Sequence, residues 1–167
     1  PGAVTKIVVP TAAEVPYGSV LPEVSSSGVL IRAQDEITVY SLNAVEFSTD
    51  AYLALPDDVL GTHHAALAYE DAQLIGTSAG TQVIVVASAH DTTVQLTYPP
   101  AFVAMTGTSS ATFVLDKGEA LRVATLAGGT DVSGVLVDAS APVAVIGGSS
   151  CAAVPRDVFA CNHLAEQ

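Results

Sequence analysis

The sequence predicts an all-β protein: a β-sandwich built from one or two antiparallel sheet units with Greek-key-like or meander connections. Short valine-rich runs recur along the chain, and 13 glycines and 9 prolines supply the residues that turns between strands require. Aromatic residues make up 5% of the 167 residues and tryptophan is absent. The core must therefore be built from valine, leucine, isoleucine and alanine, in one domain or in two small sheet units that share it.

The chain divides into an N-terminal part and a sandwich domain. Residues 1–25 are predicted to form a strand, at 5–9, and an extended arm, because three prolines and a serine run interrupt residues 10–27. Residues 26–167 are predicted to form the β-sandwich domain, which we expect to continue beyond residue 167 in the full-length protein.

Alternation of apolar and polar residues, together with turn residues, places the strands of this domain. The predicted strands are residues 28–32, 36–40, 48–56, 62–69, 81–87, 92–97, 112–115, 120–123, 132–137 and 143–146. Residues 57–61 are predicted to form one capped helical turn. Gly118 is predicted to close a hairpin between the strands on either side of residues 116–119, and Gly147-Gly148 is predicted to be a turn.

One internal repeat is visible. Residues 27–40 align without a gap with residues 133–146, and Ser, Gly, Val, Leu, Ala and a later Val recur at matching places. This predicts that the same strand–turn–strand closes two successive sheet units, so that the chain is a piece of a longer tandem array.

The charge of the chain excludes some partners. Five basic and 17 acidic residues give a formal net charge of -12, which would repel a phosphate backbone and an anionic membrane surface. The longest apolar stretches, such as residues 83–87, are far shorter than the ~20 residues of a membrane-spanning helix. The partners that we predict are a protein ligand or copies of the chain itself, with no nucleic acid and no membrane insertion.

The two cysteines indicate an oxidising compartment. Cys151 and Cys161 bracket nine residues that include Pro155, and only a covalent or packing constraint would hold the ends of such a loop together. We predict a Cys151–Cys161 disulfide and an extracellular or cell-surface location. The alternative is a pair of buried thiols.

Several stretches together resemble one family. They are STDAYLALP at residues 48–56 with LGT at 60–62, VVASAHDTTV at 85–94, KGE at 117–119 ahead of PVAVIGG at 142–148, and Cys151 followed by CNHLAEQ at 161–167. Residues 26–167 resemble the N-terminal domain of the IgG Fc-binding protein family, found in a mucus protein and in secreted and surface proteins of bacteria. The resemblance implies an extracellular, all-β interaction module. It carries over no binding residues.

One stretch matches a catalytic pattern. Residues 76–80 read Gly-Thr-Ser-Ala-Gly, but a nucleophile elbow needs a helix after the serine. A strand at residues 81–87 follows instead, so we predict a turn and no catalysis. A hydrolase acting through Ser78 is the third functional hypothesis, after a protein-binding module and a self-assembling structural subunit.

The histidines and paired acids are predicted to be ordinary surface groups. Adjacent His63 and His64 on a strand face opposite sides, one half-buried and one solvated, and cannot easily grip one ion. The pairs Asp57-Asp58 and Glu70-Asp71 lack the alternating spacing of a calcium loop. We predict that these acids are solvated and that there is no cofactor or metal site, with calcium as the alternative.

These observations predict an extracellular protein-binding or adhesion module without catalytic activity. It would bind through shape and hydrogen bonding on loops or strand edges. The alternative is a self-assembling structural subunit of a surface or extracellular filament or array, completed by strand exchange.

Overall fold

The computed structural model describes residues 2–15, 22–45, 48–72, 80–125, 131–155, 158 and 162–166. The all-β prediction is confirmed, because strands dominate these residues and every strand pair is antiparallel. The strands are β1 (Glu23–Ser25), β2 (Val39–Val45), β3 (Ser48–Ala54), β4 (Gly61–Ala65), β5 (Thr81–Ala87), β6 (Thr92–Thr97), β7 (Ser110–Leu115), β8 (Ala120–Ala124), β9 (Leu136–Ala152) and β10 (Asn162–Glu166). The helices are the α-helix α1 (Pro100–Thr106) and two 3-10 turns, Thr11–Ala13 and Asp57–Val59.

The 17-residue strand β9 connects the two layers of the molecule. Along one edge it pairs first with β6, from Leu136 to Ala139, and then with β5, from Val143 to Ser149. Along its other edge it pairs with β4 and then with β10. β9 therefore belongs to both layers.

The segments β5–β6 and β7–β8 also cross from one layer to the other. β5 leads into β6, and both are antiparallel to β9; β7 leads into β8, with β7 paired to β6 and β8 paired to β5. In the described part of the chain, eight strands form one continuous hydrogen-bonded sheet, and β2 and β3 form a separate two-stranded sheet. We divide the large sheet at β9 and call the part formed by β7, β6, the first part of β9 and β4 sheet one. Sheet two is formed by β1, β8, β5, the second part of β9 and β10.

The core lies between these two sheets. Alternate residues of β5 and β6 are buried, including Val83 and Val85 from sheet two and Val94 and Leu96 from sheet one, each 0% exposed. They belong to one hydrophobic cluster. Burying a valine or leucine side chain is worth about 1.5–3 kcal/mol. A shared core of this kind is that of a β-sandwich.

The predicted hairpin at residues 116–119 is wrong. β7 and β8 do not pair with each other; residues 116–119 carry the chain from sheet one to sheet two. Gly118 has a positive φ of 82°, and its N–H donates to the carbonyl oxygen of Ala87 at 2.9 Å. The local sequence correctly predicts that the chain changes direction here. It does not predict the pairing, in which β7 lies beside β6 and β8 lies beside β5.

The predicted Gly147-Gly148 turn is also wrong, because both glycines lie inside β9. A Cβ atom on Gly147 would overlap the carbonyl oxygen of Leu67, and one on Gly148 would overlap that of Leu164. The two glycines are needed for close approach of neighbouring backbones and not for a turn. The predicted strand 143–146 lies within the continuous strand β9. The predicted strand 132–137 overlaps β9 only from its first residue, Leu136, onward.

The predicted repeat does not correspond to a common structure. Residues 28–32 and 36–38 are not in strands, whereas the matching residues from Leu136 onward are in β9. The predicted strand at 5–9 is likewise an exposed segment without regular structure. Within the predicted arm, β1 pairs with β8 and places Glu23 opposite Arg122.

Other predicted elements are confirmed. β5 and β6 have the predicted bounds, and the helical turn predicted at 57–61 is a 3-10 turn over Asp57–Val59. β4 is shorter than predicted, since it ends at Ala65.

Helix α1 was not predicted. Its first residue is Pro100, and it ends at Gly107, which has a φ of 73° and donates its N–H to Val103 O at 2.8 Å. Both are typical helix-end residues. Phe102 is buried and stacks on Tyr98, with ring centroids 4.5 Å apart. Among the described residues, no helix is both long and apolar enough to cross a membrane.

We expect Gly147→Ala to lower the free energy of unfolding by about 3 kcal/mol, because the added methyl group overlaps backbone atoms that cannot move independently. Chemical denaturation measures the change. Gly61→Ala is the matched control: it also lies in a strand, but the added carbon would meet the nearest atom at 3.4 Å, so we expect a change below about 1 kcal/mol. Equal effects of the two substitutions would contradict the close approach.

Tyr98 gives the protein an alkaline sensitivity. Burial raises the pKa of Tyr98 above its ordinary value of 10.0, so in the folded protein the phenol stays neutral where the unfolded chain already ionises. The stability that the protein has with a neutral Tyr98 is complete below pH 10. It is lost as the pH rises through the folded-state pKa, because ionisation favours the unfolded chain.

We therefore expect Tyr98→Phe to reduce the loss of stability above pH 10, measured as the midpoint of thermal unfolding against pH. At neutral pH the substitution should cost little, because the Tyr98 hydroxyl has no hydrogen-bond partner within the described structure. Tyr40→Phe is the control, since Tyr40 is 71% exposed. If both variants keep the wild-type profile, Tyr98 is not the responsible group.

Candidate protein-binding surface

The two adjacent histidines lie as predicted. The exposed His63 places Nδ1 2.6 Å from Oδ1 of Asp138, whereas the half-buried His64 donates from Nε2 to the carbonyl oxygen of Gly61 at 3.0 Å. One imidazole is solvated and the other is half-buried, on opposite faces of β4. The structure does not bring them together as a pair.

The paired acids differ from the prediction at Glu70, which is half-buried, and at Asp71. Asp57 and Asp58 are exposed, but Asp71 is buried, with 2% of its surface exposed. Its carboxylate accepts the backbone N–H of Gly80 at 3.3 Å, just before β5. The prediction that Asp71 is solvated is therefore wrong, and the reason is a backbone contact that the sequence does not reveal. Across the described residues, three or more His, Cys, Asp or Glu side chains do not converge.

Two predicted residues lie outside the described part of the chain: Ser78 of the Gly-x-Ser-x-Gly pattern and Cys161. Cys151 lies in β9 and is 2% exposed. The disulfide therefore stays a prediction.

Sheet one presents a nearly uncharged surface to solvent, which we call the outer face of sheet one. Eleven exposed side chains form it: Ser110, Thr112 and Val114 on β7, Thr93, Gln95 and Thr97 on β6, Leu136, Asp138 and Ser140 on β9, and His63 and Ala65 on β4. The register aligns Thr112, Gln95, Asp138 and His63 in one row across four strands. Asp138 is the single carboxylate of the face, and His63 contacts it.

The outer face of sheet one carries little charge. Asp138 is one charged residue among eleven on this face, close to the 13% charged fraction of the whole chain, and the face carries no lysine, arginine or glutamate. Charged residues are depleted at the centres of protein interfaces, because removing their water is costly. Two large apolar side chains on the face, Val114 and Leu136, are 63% and 47% exposed. Another protein can cover this face at a low desolvation cost.

Sequence reasoning missed this face. The alternation in residues 92–97 identifies the outward residues of β6, but it does not tell which strands lie beside β6. The sequence prediction placed binding on loops or strand edges instead.

The fold and this surface define the class: an all-β protein with an exposed sheet face that carries a single carboxylate. The model of the IgGFc binding protein family matches residues 50–167, and the chain belongs to this family. The resemblance seen in the sequence is confirmed.

One curated relative is the human IgGFc-binding protein. It is 34% identical over an alignment of 151 residues, and the match covers 83% of this chain. The chain spans about 2% of the length of that relative. No solved structure matches the chain.

Proposed function

We propose that this chain is a non-catalytic protein-binding module of an extracellular or cell-surface protein, and that it binds its partner through the outer face of sheet one. The observation that carries the proposal is the single carboxylate among the eleven exposed side chains of that face. Family membership supports a protein as the partner.

The size of the face fits the centre of an interface. Four strands about 4.8 Å apart and five residues long cover roughly 15 Å by 17 Å. A standard interface buries about 800 Å² on each partner. The face supplies about a third of this area, so the loops at its rim must supply the remainder.

The first partner to test is the Fc part of immunoglobulin G, because the human relative is named for binding it. The hydroxyl and amide groups of Thr93, Gln95 and Thr112 can donate and accept hydrogen bonds without a buried charge. Such a face suits recognition by shape and hydrogen bonding.

We expect the purified chain to bind human IgG Fc in biolayer interferometry and not the Fab fragment of the same antibody. The double variant Gln95→Lys/Thr112→Lys should weaken binding at least tenfold, because two unpaired ammonium groups would be buried at the centre of the interface. Ser26→Lys, at an exposed position beyond β1, is the matched control and should bind like the wild type.

Two outcomes would contradict the proposal, and they differ. Absence of Fc binding by the folded wild-type chain would overturn the Fc assignment. Binding that both lysine substitutions leave unchanged would overturn the assignment to this face.

The extracellular location rests on the disulfide that we propose between Cys151 and Cys161. The pairing of Ala152 with Asn162 supports it, because these chain neighbours of the two cysteines lie on adjacent strands. The burial of Cys151 also supports a structural role.

When the chain is unfolded without reductant, we expect iodoacetamide to alkylate neither cysteine. After reduction it should alkylate both, as measured by mass spectrometry. Replacing both cysteines by alanine should lower the free energy of unfolding by about 3 kcal/mol, the entropic value for a loop of this length. Two reactive thiols in the unreduced, oxidatively purified chain would show that the disulfide is absent.

A further inference from the structure

The β2–β3 ribbon lies at the margin of the molecule. β2 and β3 pair antiparallel along their whole length, from Val39 opposite Ala54 to Val45 opposite Ser48. β3 lies alongside β10, where one carboxylate oxygen of Asp50 accepts the N–H of Ala165, and the other accepts the N–H of Ala51 at 2.8 Å. Among the described residues β2 pairs with β3 alone. β2 is therefore the outermost strand, and its far edge is open there.

This edge lacks the features that normally protect an edge strand. β2 reads Val-Tyr-Ser-Leu-Asn-Ala-Val, with no charge and no proline, and its register with β3 contains no bulge. Edge strands are usually short, charged or bulged, because open backbone N–H and C=O groups pair with other strands. β1, for comparison, has three residues, one of which is Glu23. The β2 edge is suited to accept a further strand.

One face of the ribbon is apolar and exposed. Tyr40 and Leu53 are cross-strand neighbours on this face and are 71% and 47% exposed, and Leu42 beside them is 61% exposed. On the opposite face Ser41 and Tyr52 are half-buried. β7 is also an uncharged edge strand, but its exposed side chains are Ser110, Thr112 and Val114. The ribbon thus combines an open edge with apolar side chains that a third strand would cover.

The charge around the ribbon selects the partner. Asp35 and Glu36 precede β2, and Asp57 and Asp58 follow β3, so four exposed carboxylates lie within four residues of the Val39–Ala54 end. No lysine or arginine occurs between residues 33 and 62. These carboxylates attract a basic segment. They disfavour a second copy of this chain, which carries a net charge of -12.

We infer that the open edge of β2 is a docking site for an extended strand of a partner protein, in which alternating apolar residues are followed by lysine or arginine. The strand pairs antiparallel to β2, as the other described strands pair with one another, and antiparallel pairing is slightly more stable per residue. This direction places the C-terminal end of the partner strand beside Val39 and the carboxylates. Backbone pairing provides affinity, and the basic end provides direction.

The inference rests on the proposed function in that the partner is a protein, but it uses a different surface. β2 lies outside the family match, which begins at Asp50.

The test uses a synthetic peptide, acetyl-Thr-Val-Thr-Val-Thr-Val-Thr-Lys-Lys-amide, added to the isotope-labelled chain. We expect the amide signals of β2 to shift and the exchange of alternate β2 amides with solvent to slow. Peptides with glutamate in place of lysine, or with both lysines moved to the N-terminus, should bind at least tenfold more weakly. N-methylation of one alternate set of peptide amides should abolish binding, while methylation of the other set should not.

Two variants locate the site. Leu42→Lys adds a charge to the apolar face and should weaken peptide binding at least tenfold without loss of folding, because Leu42 is 61% exposed; a thermal melt checks the fold. Asp57→Asn/Asp58→Asn should reduce the preference for lysine over glutamate. Thr112→Lys, on the outer face of sheet one, is the control and should leave peptide binding unchanged.

The inference is overturned if the β2 amides are unaffected by the peptide, if the lysine and glutamate peptides bind equally, or if β2 amides become protected with increasing concentration of the chain alone. The last result would mean self-pairing. Fc binding that is lost in Gln95→Lys/Thr112→Lys but kept in Leu42→Lys would leave the proposed function intact whatever the peptide shows.

Discussion

The continuity of β9 is the constraint on which the rest of the structure depends. Its first part belongs to sheet one and its second part to sheet two, so one strand fixes the position of four others. Gly147 and Gly148 allow the backbone at Leu67 and at Leu164 to approach β9 closely, because side chains there would overlap it. The cost of a flexible glycine in a strand is offset by close contacts on both sides.

The same arrangement separates stability from recognition. In sheet one, inward residues such as Val94 and Leu96 fill the shared core, while the alternate residues of the same strands form the outer face. A substitution on the outer face therefore changes a surface without opening a cavity in the core. This allows the proposed binding face to vary among relatives while the fold is kept.

Electrostatics distinguishes the outer face of sheet one from the β2–β3 ribbon. The outer face is nearly free of charge, whereas the ribbon ends between four carboxylates. The outer face favours contact by shape and hydrogen bonding; the ribbon adds a preference for a basic partner. Because the chain carries a net charge of -12, long-range repulsion disfavours the association of identical copies at either surface.

The sequence by itself determined the all-β class, the bounds of β5 and β6, and the opposite orientation of His63 and His64, because these follow from the two-residue period of a strand. It also determined the helical turn near Asp57, which follows from local turn chemistry. Only the tertiary structure decided that residues 116–119 connect two sheets, that Gly147-Gly148 lies inside a strand, and that Asp71 is buried. Strand pairing and close backbone approach join residues far apart in the chain. A local pattern gives the face of each residue but not its neighbour, and so the candidate surfaces could not be assembled from it.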